Sequence, residues 1–217
     1  MRKALQLIIV SLSSLSMLIA CQKEASFEIP SNAPNTGNAG GPGSGPGNAL
    51  IGSWKLIEMD ARTYVSIEQS FAGDFSTSIS NCTYLTKNNK GVLKIDAFKI
   101  NFSDVGYEVE DTIHVKSYEN GAFIDNSDIP FVFTMPTASS SDTYKLVGID
   151  SIYFSGGFIS IGGGASTASK PSGGKYKIQA DTLTIITVSN ESKVTTVSGV
   201  KETFVSQLYG VIKLKKQ

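Results

Sequence analysis

The sequence predicts an all-β domain, an antiparallel up-and-down β-barrel of about eight to ten strands. Three observations carry that prediction. Ser and Thr are abundant, and β-branched and aromatic residues cluster in short runs. Within those runs apolar and polar residues alternate with period two, and few windows have helical spacing. Turn residues separate the runs at short intervals. A clean in/out alternation belongs to antiparallel sheets with one dry face and one wet face. Closure into a barrel would also remove exposed strand edges.

The elements follow in order. Leu50 to Met59 opens the domain. Val65 to Phe71 suits either a short helix or a strand, with short helix or loop the preferred reading. Ile95 to Phe102 sets Phe98, Ile100 and Phe102 on one face, with Lys99 and Asn101 opposite. Tyr107 to Tyr118 places Val109, Ile113 and Val115 on one side and Glu108, Glu110, Thr112, His114 and Lys116 on the other. Asn120-Gly121 is a hairpin signal, because both residues tolerate positive φ.

Phe131, Phe133 and Met135 alternate in the next run, bounded by Pro130 and Pro136. Thr137 to Thr143 reads as a loop. Tyr144 to Ile149 and Ser151 to Ile161 follow, the second broken by Gly156-Gly157. Gly162 to Gly174 is a Gly/Ser/Ala-rich loop. Lys175 to Gln179 and Thr182 to Val188 form a hairpin turning at Ala180-Asp181. Val194 to Val197 and Thr203 to Lys215 close the domain.

Residues 1–48 have a different character. Arg2 and Lys3 precede an apolar stretch from Ala4 to Ala20, and the chain turns polar at Gln22-Lys23-Glu24. This is the layout of a secretory signal. The stretch is interrupted by Gln6 and four serines, whereas a spanning helix needs ~20 mostly apolar residues. Residues 21–48 then supply a spacer. Ser31 to Asn48 contains only Ser, Asn, Ala, Pro, Gly and one Thr, which cannot bury enough apolar area to offset backbone ordering. A random coil of that length spans about 25–30 Å. Residues 49–217 form the single folded domain.

Leu18-Ile19-Ala20-Cys21 resembles the lipobox of bacterial lipoproteins. The resemblance implies cleavage after Ala20, a diacylglyceryl thioether on Cys21 and attachment to the membrane through that lipid. Gln22-Lys23-Glu24 resembles, in part, the acidic export signal of Bacteroidetes surface lipoproteins. That resemblance implies an outer-membrane lipoprotein, displayed on the surface or facing the periplasm.

Charge and chemistry narrow the function. The chain has 19 basic and 19 acidic residues, and loss of Arg2 and Lys3 would leave 17 against 19. Arg62 would then be the lone arginine, so a nucleic-acid stripe is not expected. Cys82 is the one cysteine besides Cys21 and reads as a buried thiol. His114, the single histidine, falls on the polar face of its strand, and a catalytic triad needs a histidine poised by a carboxylate. No pair of histidines or cysteines exists to build a zinc site. Asp125-Asn126-Ser127-Asp128 reads as a turn rather than a calcium loop. The expectation is no enzyme, no cofactor and no metal. Asp111-Thr112-Ile113, Asp150-Ser151-Ile152 and Asp181-Thr182-Leu183 resemble O-glycosylation sites of exported Bacteroidetes proteins, and equally suit ordinary strand-entry turns.

Ile51-Gly52-Ser53-Trp54-Lys55-Leu56 resembles the Gly-X-Trp signature of the lipocalins and the broader calycin barrels. Leu208-Tyr209-Gly210-Val211-Ile212-Lys213-Leu214-Lys215 resembles their closing strand. The resemblance implies a lipocalin-like barrel in which Gly52 and Trp54 plug the closed end beneath a cation, here Lys213 or Lys215. It also implies a small apolar or amphipathic ligand, for which Tyr107, Phe131, Phe133, Tyr144 and Phe154 are the candidate lining residues. The alternative is a protein or glycan interaction module whose barrel is filled by the same side chains.

Overall fold

The computed structural model describes residues 49–155 and 172–217. Cys21, the signal, the spacer and most of the Gly162 to Gly174 loop lie outside the described residues. Nine antiparallel strands follow in chain order: β1 (Gly52–Phe71), β2 (Asp74–Leu85), β3 (Lys87–Ile95), β4 (Lys99–Glu119), β5 (Ala122–Val147), β6 (Ser151–Phe154), β7 (Ser172–Gln179), β8 (Thr182–Val197) and β9 (Val200–Lys216).

Sequence neighbours pair except β2 with β3, which each pair with β1 and β4 instead, and β1 pairs with β9 to close the ring. β2 and β3 act as two halves of one strand between β1 and β4. The early part of β1 pairs with β3 (Trp54 with Leu93), and its later part pairs with β2 (Thr63 with Cys82). Eight positions therefore surround the barrel, as the alternation predicts. The break between the halves is held by Thr86. Its backbone N–H donates to the Met59 carbonyl at 2.9 Å, and its hydroxyl oxygen accepts from the Met59 N–H at 2.8 Å. β1 carries a bulge between Leu56 and Glu58, so both partners shift register near this point.

Three hairpins turn on adjacent residues with positive φ: Ala72-Gly73, Asn120-Gly121 and Ser198-Gly199. The Asn120-Gly121 turn is the one the sequence predicts. Asn120 reinforces it: its side-chain oxygen accepts from the Phe75 N–H at 2.9 Å, and its backbone N–H donates to the Phe75 carbonyl at 2.8 Å.

Side-chain polarity places the core inside. Trp54, Leu56, Met59, Leu93, Ile95, Ile100, Ile152, Phe154, Leu183, Ile185, Ile212 and Leu214 are buried within the lower half of the ring. Lys55, Lys94, Lys99, Lys145 and Lys177 alternate with such residues on the outside. A barrel that spans a membrane has the opposite polarity, apolar outward and polar inward.

The wall is uneven. β6 pairs with β5 only over Tyr144 to Val147, and β7 pairs with β8 only over Thr182 to Thr187. Among the described residues, β5 from Ala122 to Ser141 has a strand partner on one side only, and so has β8 from Val188 to Val197. The base is a closed, packed ring. Among the described residues the upper half is walled by the long β8–β9, β1–β2 and β4–β5 hairpins.

Several expectations are corrected. Val65 to Phe71 is strand, because ladders to β2 and β9 on both sides override its weak local preference. Thr137 to Thr143 continues β5 instead of looping, since Ala138, Ser140 and Ser141 pair with Val105, Phe102 and Asn101. Asp125 to Asp128 is not a turn but lies in β5, opposite Ser117 to His114. β2 and most of β3 fill an interval to which the sequence pattern assigns no element.

Candidate functional site

Trp54 occupies the base as a structural plug. It is fully buried, and its indole N–H donates to the Leu50 carbonyl at 2.8 Å. The cation over its ring is Lys216, with Nζ 5.5 Å from the ring centroid. This corrects the expectation of Lys213 or Lys215. Lys213 turns outward to pair with Glu58, and Lys215 reaches Asp181 at 3.5 Å. The reason is register: Lys216 is the β9 residue opposite Trp54. Gly52, at φ +145, lies beneath the same side chain, with the Lys216 Cε 3.6 Å from where a Cβ would stand.

The five candidate lining aromatics divide. Phe154 and Tyr144 belong to the packed base. The Tyr144 hydroxyl donates to the Asp96 carbonyl at 2.7 Å, and burial, then the Asp96 charge, raises its pKa. Tyr107 lies at the boundary, buried, with its ring 6.2 Å from that of Phe133. Phe131 and Phe133 line the upper half and are only partly covered. Ile113, Met135 and Leu208 share that half-covered inner surface.

Two residues absent from the sequence-based candidates complete the region. Tyr84 is 2 % exposed, its ring 5.7 Å from that of Phe131, and its hydroxyl has no hydrogen-bond partner. An orphaned buried hydroxyl costs about 1–3 kcal/mol, so it calls for an explanation. Burial, then the neighbouring Tyr107 and Cys82, drives its pKa upward, so the phenol stays neutral. Asp111 is the second. It lies between Val109 and Ile113 on the inward face of β4, opposite Phe131. Its carboxylate accepts the Thr112 N–H at 2.8 Å, and none of the described ion pairs involves it. Cys82 is buried beside it, and its thiol pKa is raised by burial and then by the Asp111 charge. The alternation of Val109, Ile113 and Val115 skips position 111, and that gap is the signal sequence reading could have used.

Other acids share this inner surface by register: Asp125 opposite Ser117, Glu202 opposite Gln69, and Glu191 opposite Ser206. Gln69 donates to Glu202 at 2.9 Å. Lys193, opposite Phe204, is the inward cation of the upper wall among the described residues. The upper interior is thus apolar, aromatic and acidic.

The outside carries a shallow depression of about 300 Å³ lined by Arg62, Tyr64, Asn81, Asn190, Gln207 and Tyr209. The Arg62 guanidinium stands 5.8 Å from the Tyr209 ring centroid. His114 is exposed on the outer face, as expected, and meets Asp128 at 2.7 Å. Among the described residues no group of three or more His, Cys, Asp or Glu side chains could hold a metal. No helix of the described residues is long and apolar enough to cross a membrane.

No family model and no curated protein matches the chain. Among solved structures, Ail, the attachment invasion locus protein of Yersinia pestis, matches 76 % of this chain and 99 % of its own, at 7 % identity and a TM-score of 0.16. A likeness of that size carries no argument about fold or function.

Proposed function

We propose that this chain is a lipid-anchored binding protein of the cell envelope, with a lipocalin-like barrel that takes a small, largely apolar ligand into its upper half. The observation that carries the reading is the contrast between the two halves. Below, the ring is closed and its side chains fill it. Above, Phe131, Phe133, Ile113, Met135 and Leu208 face inward but are only partly covered, beside an unpartnered buried hydroxyl. Pockets for small molecules are mostly apolar with a few placed polar groups. The anchor rests on the lipobox-like Cys21 and its apolar run. The tether would join the domain at Gly52, on the closed base. β1 then rises through twenty residues, about 65 Å at ~3.3 Å per residue, so the opening points away from the anchored end.

Calorimetric titration of the full chain in nanodiscs with octanol, with empty nanodiscs subtracted, tests the ligand. The expected result is saturable binding that Phe133→Asp removes. Heats equal to those of empty nanodiscs would refute it.

One observation favours a second reading, an interaction module acting through its exterior. The outer depression joins two tyrosines, a guanidinium and three side-chain amides, a set suited to stacking and hydrogen bonding with a glycan. Tyr209→Ala separates the readings, since it would abolish a surface interaction and leave octanol binding unchanged.

A further inference from the structure

We infer that the upper half of the barrel selects an organic cation, with an alkylammonium group held between the Asp111 carboxylate and the ring of Phe131, in front of the Tyr84 hydroxyl. The apolar body of the ligand would lie along Phe133, Met135 and Leu208. This deepens the ligand-binding reading above and rests on it.

Three independent features converge. The first is the position of Asp111. Position 111 shares by parity the inner face with Val109 and Ile113, and its side chain is exposed to the upper half. A carboxylate there faces the volume a ligand would enter, where the alternation would otherwise set an apolar side chain. The outward acids beside it are satisfied: Lys87 meets Glu110 at 3.2 Å, and Asn88 donates to Glu108 at 2.6 Å. Asp111 has no such partner among the described residues.

The second feature is Tyr84. Its hydroxyl is buried without a partner, next to Phe131, which lies opposite Asp111. The neutral phenol oxygen can accept a hydrogen bond from an ammonium N–H. Its ring is tilted 58° to that of Phe131, and the half-covered Phe131 ring offers a π face opposite Asp111. Cations are attracted to such a face.

The third feature is the sign of the surrounding charge. Asp125, Glu191 and Glu202 also face inward, against Lys193. A carboxylate ligand would enter against that field, whereas a cation would be drawn in.

The test compares three probes of equal length on the full chain in nanodiscs by calorimetry: octylammonium, octanol and octanoate. Octylammonium is expected to bind at least tenfold more tightly than octanol, and octanoate most weakly. Asp111→Asn should remove the preference for octylammonium and leave octanol binding unchanged. Tyr84→Phe should weaken octylammonium severalfold. If octanol and octylammonium bind alike, and Phe133→Asp removes both, the apolar site stands and the cation preference is overturned. If Asp111→Asn leaves octylammonium affinity unchanged, the assigned role of Asp111 is overturned. If none of the probes binds, both readings fall.

Discussion

Trp54→Ala should nearly unfold the domain at room temperature. The side chain is fully buried among Leu56, Leu93, Ile95 and Leu214, so its removal leaves a cavity the closed ring can only partly collapse into. Buried Trp→Ala changes cost about 3–5 kcal/mol. The Leu50 carbonyl also loses the indole N–H it accepts at 2.8 Å, which adds about 1 kcal/mol or more. The sum, about 4–6 kcal/mol, is comparable with the whole stability of an ordinary domain, about 5–15 kcal/mol. Trp54 is the single tryptophan, so guanidinium unfolding must be followed by far-ultraviolet circular dichroism rather than by fluorescence. A loss below about 1 kcal/mol would refute the plug. A double-mutant cycle with Trp54→Phe then identifies the cation. Lys216 should couple to the ring by about 0.5–1 kcal/mol. Lys213, turned toward Glu58, should show no coupling.

Five further outcomes follow. Gly91→Ala should destabilise by about 3 kcal/mol or more in denaturant melts. Its φ is +105°, and a Cβ would stand 2.6 Å from the Val105 Cα, a backbone atom that cannot swing away. Tyr84→Phe should raise the stability of the ligand-free chain by about 1 kcal/mol while weakening ligand binding, the usual trade at a site built with an unpartnered group. Because burial raises the pKa values of Tyr84, Tyr144 and Tyr176, the folded state holds neutral phenols. Their contribution is fully present below about pH 10, where unfolded tyrosine begins to ionise, and is lost as pH rises toward the folded values. Denaturant midpoints at pH 9 and pH 11 should show the fall, less steeply in Tyr84→Phe. Cys82, buried and with its pKa raised, should react with a thiol reagent at pH 8 only in denaturant, while Cys21→Ser should move the protein out of the membrane fraction.

The fold was legible because period-two alternation survives wherever one face is dry. Val109, Ile113 and Val115 face the interior, and so do Leu183 and Ile185. It was illegible where a strand is held mainly by its neighbours. β2 has the run Phe75-Ser76-Thr77-Ser78-Ile79-Ser80, whose inward residues at 76, 78 and 80 are serines. Its ladders to β1 and β4, not its hydrophobicity, make it a strand. The burial of Trp54 was legible from the first-strand pattern, but the cation over its ring depends on a register one residue finer than the sequence can give.

The proposed site was half legible. Aromatic alternation placed Phe131 and Phe133 on the inner face. It could not separate them from Tyr144 and Phe154, because a core residue and a lining residue have the same pattern and differ only in how far the wall continues beside them. Among the described residues, β6 covers only four positions beside β5. Asp111 and Tyr84 fall on neighbouring strands of one inner surface through the pairing of β2 with β4, which no local pattern contains.

Hydrogen exchange of the full chain in nanodiscs, with and without octylammonium, tests the division into packed base and receptive upper half most directly. Without probe, the amides around Trp54, Leu93 and Ile212 should exchange most slowly, since they belong to the closed core. With probe, added protection should appear in peptides spanning Cys82 to Tyr84, Val109 to Ile113 and Phe131 to Met135, and the base should be unchanged. Protection confined to the base, or none at all at saturating probe, would contradict the account.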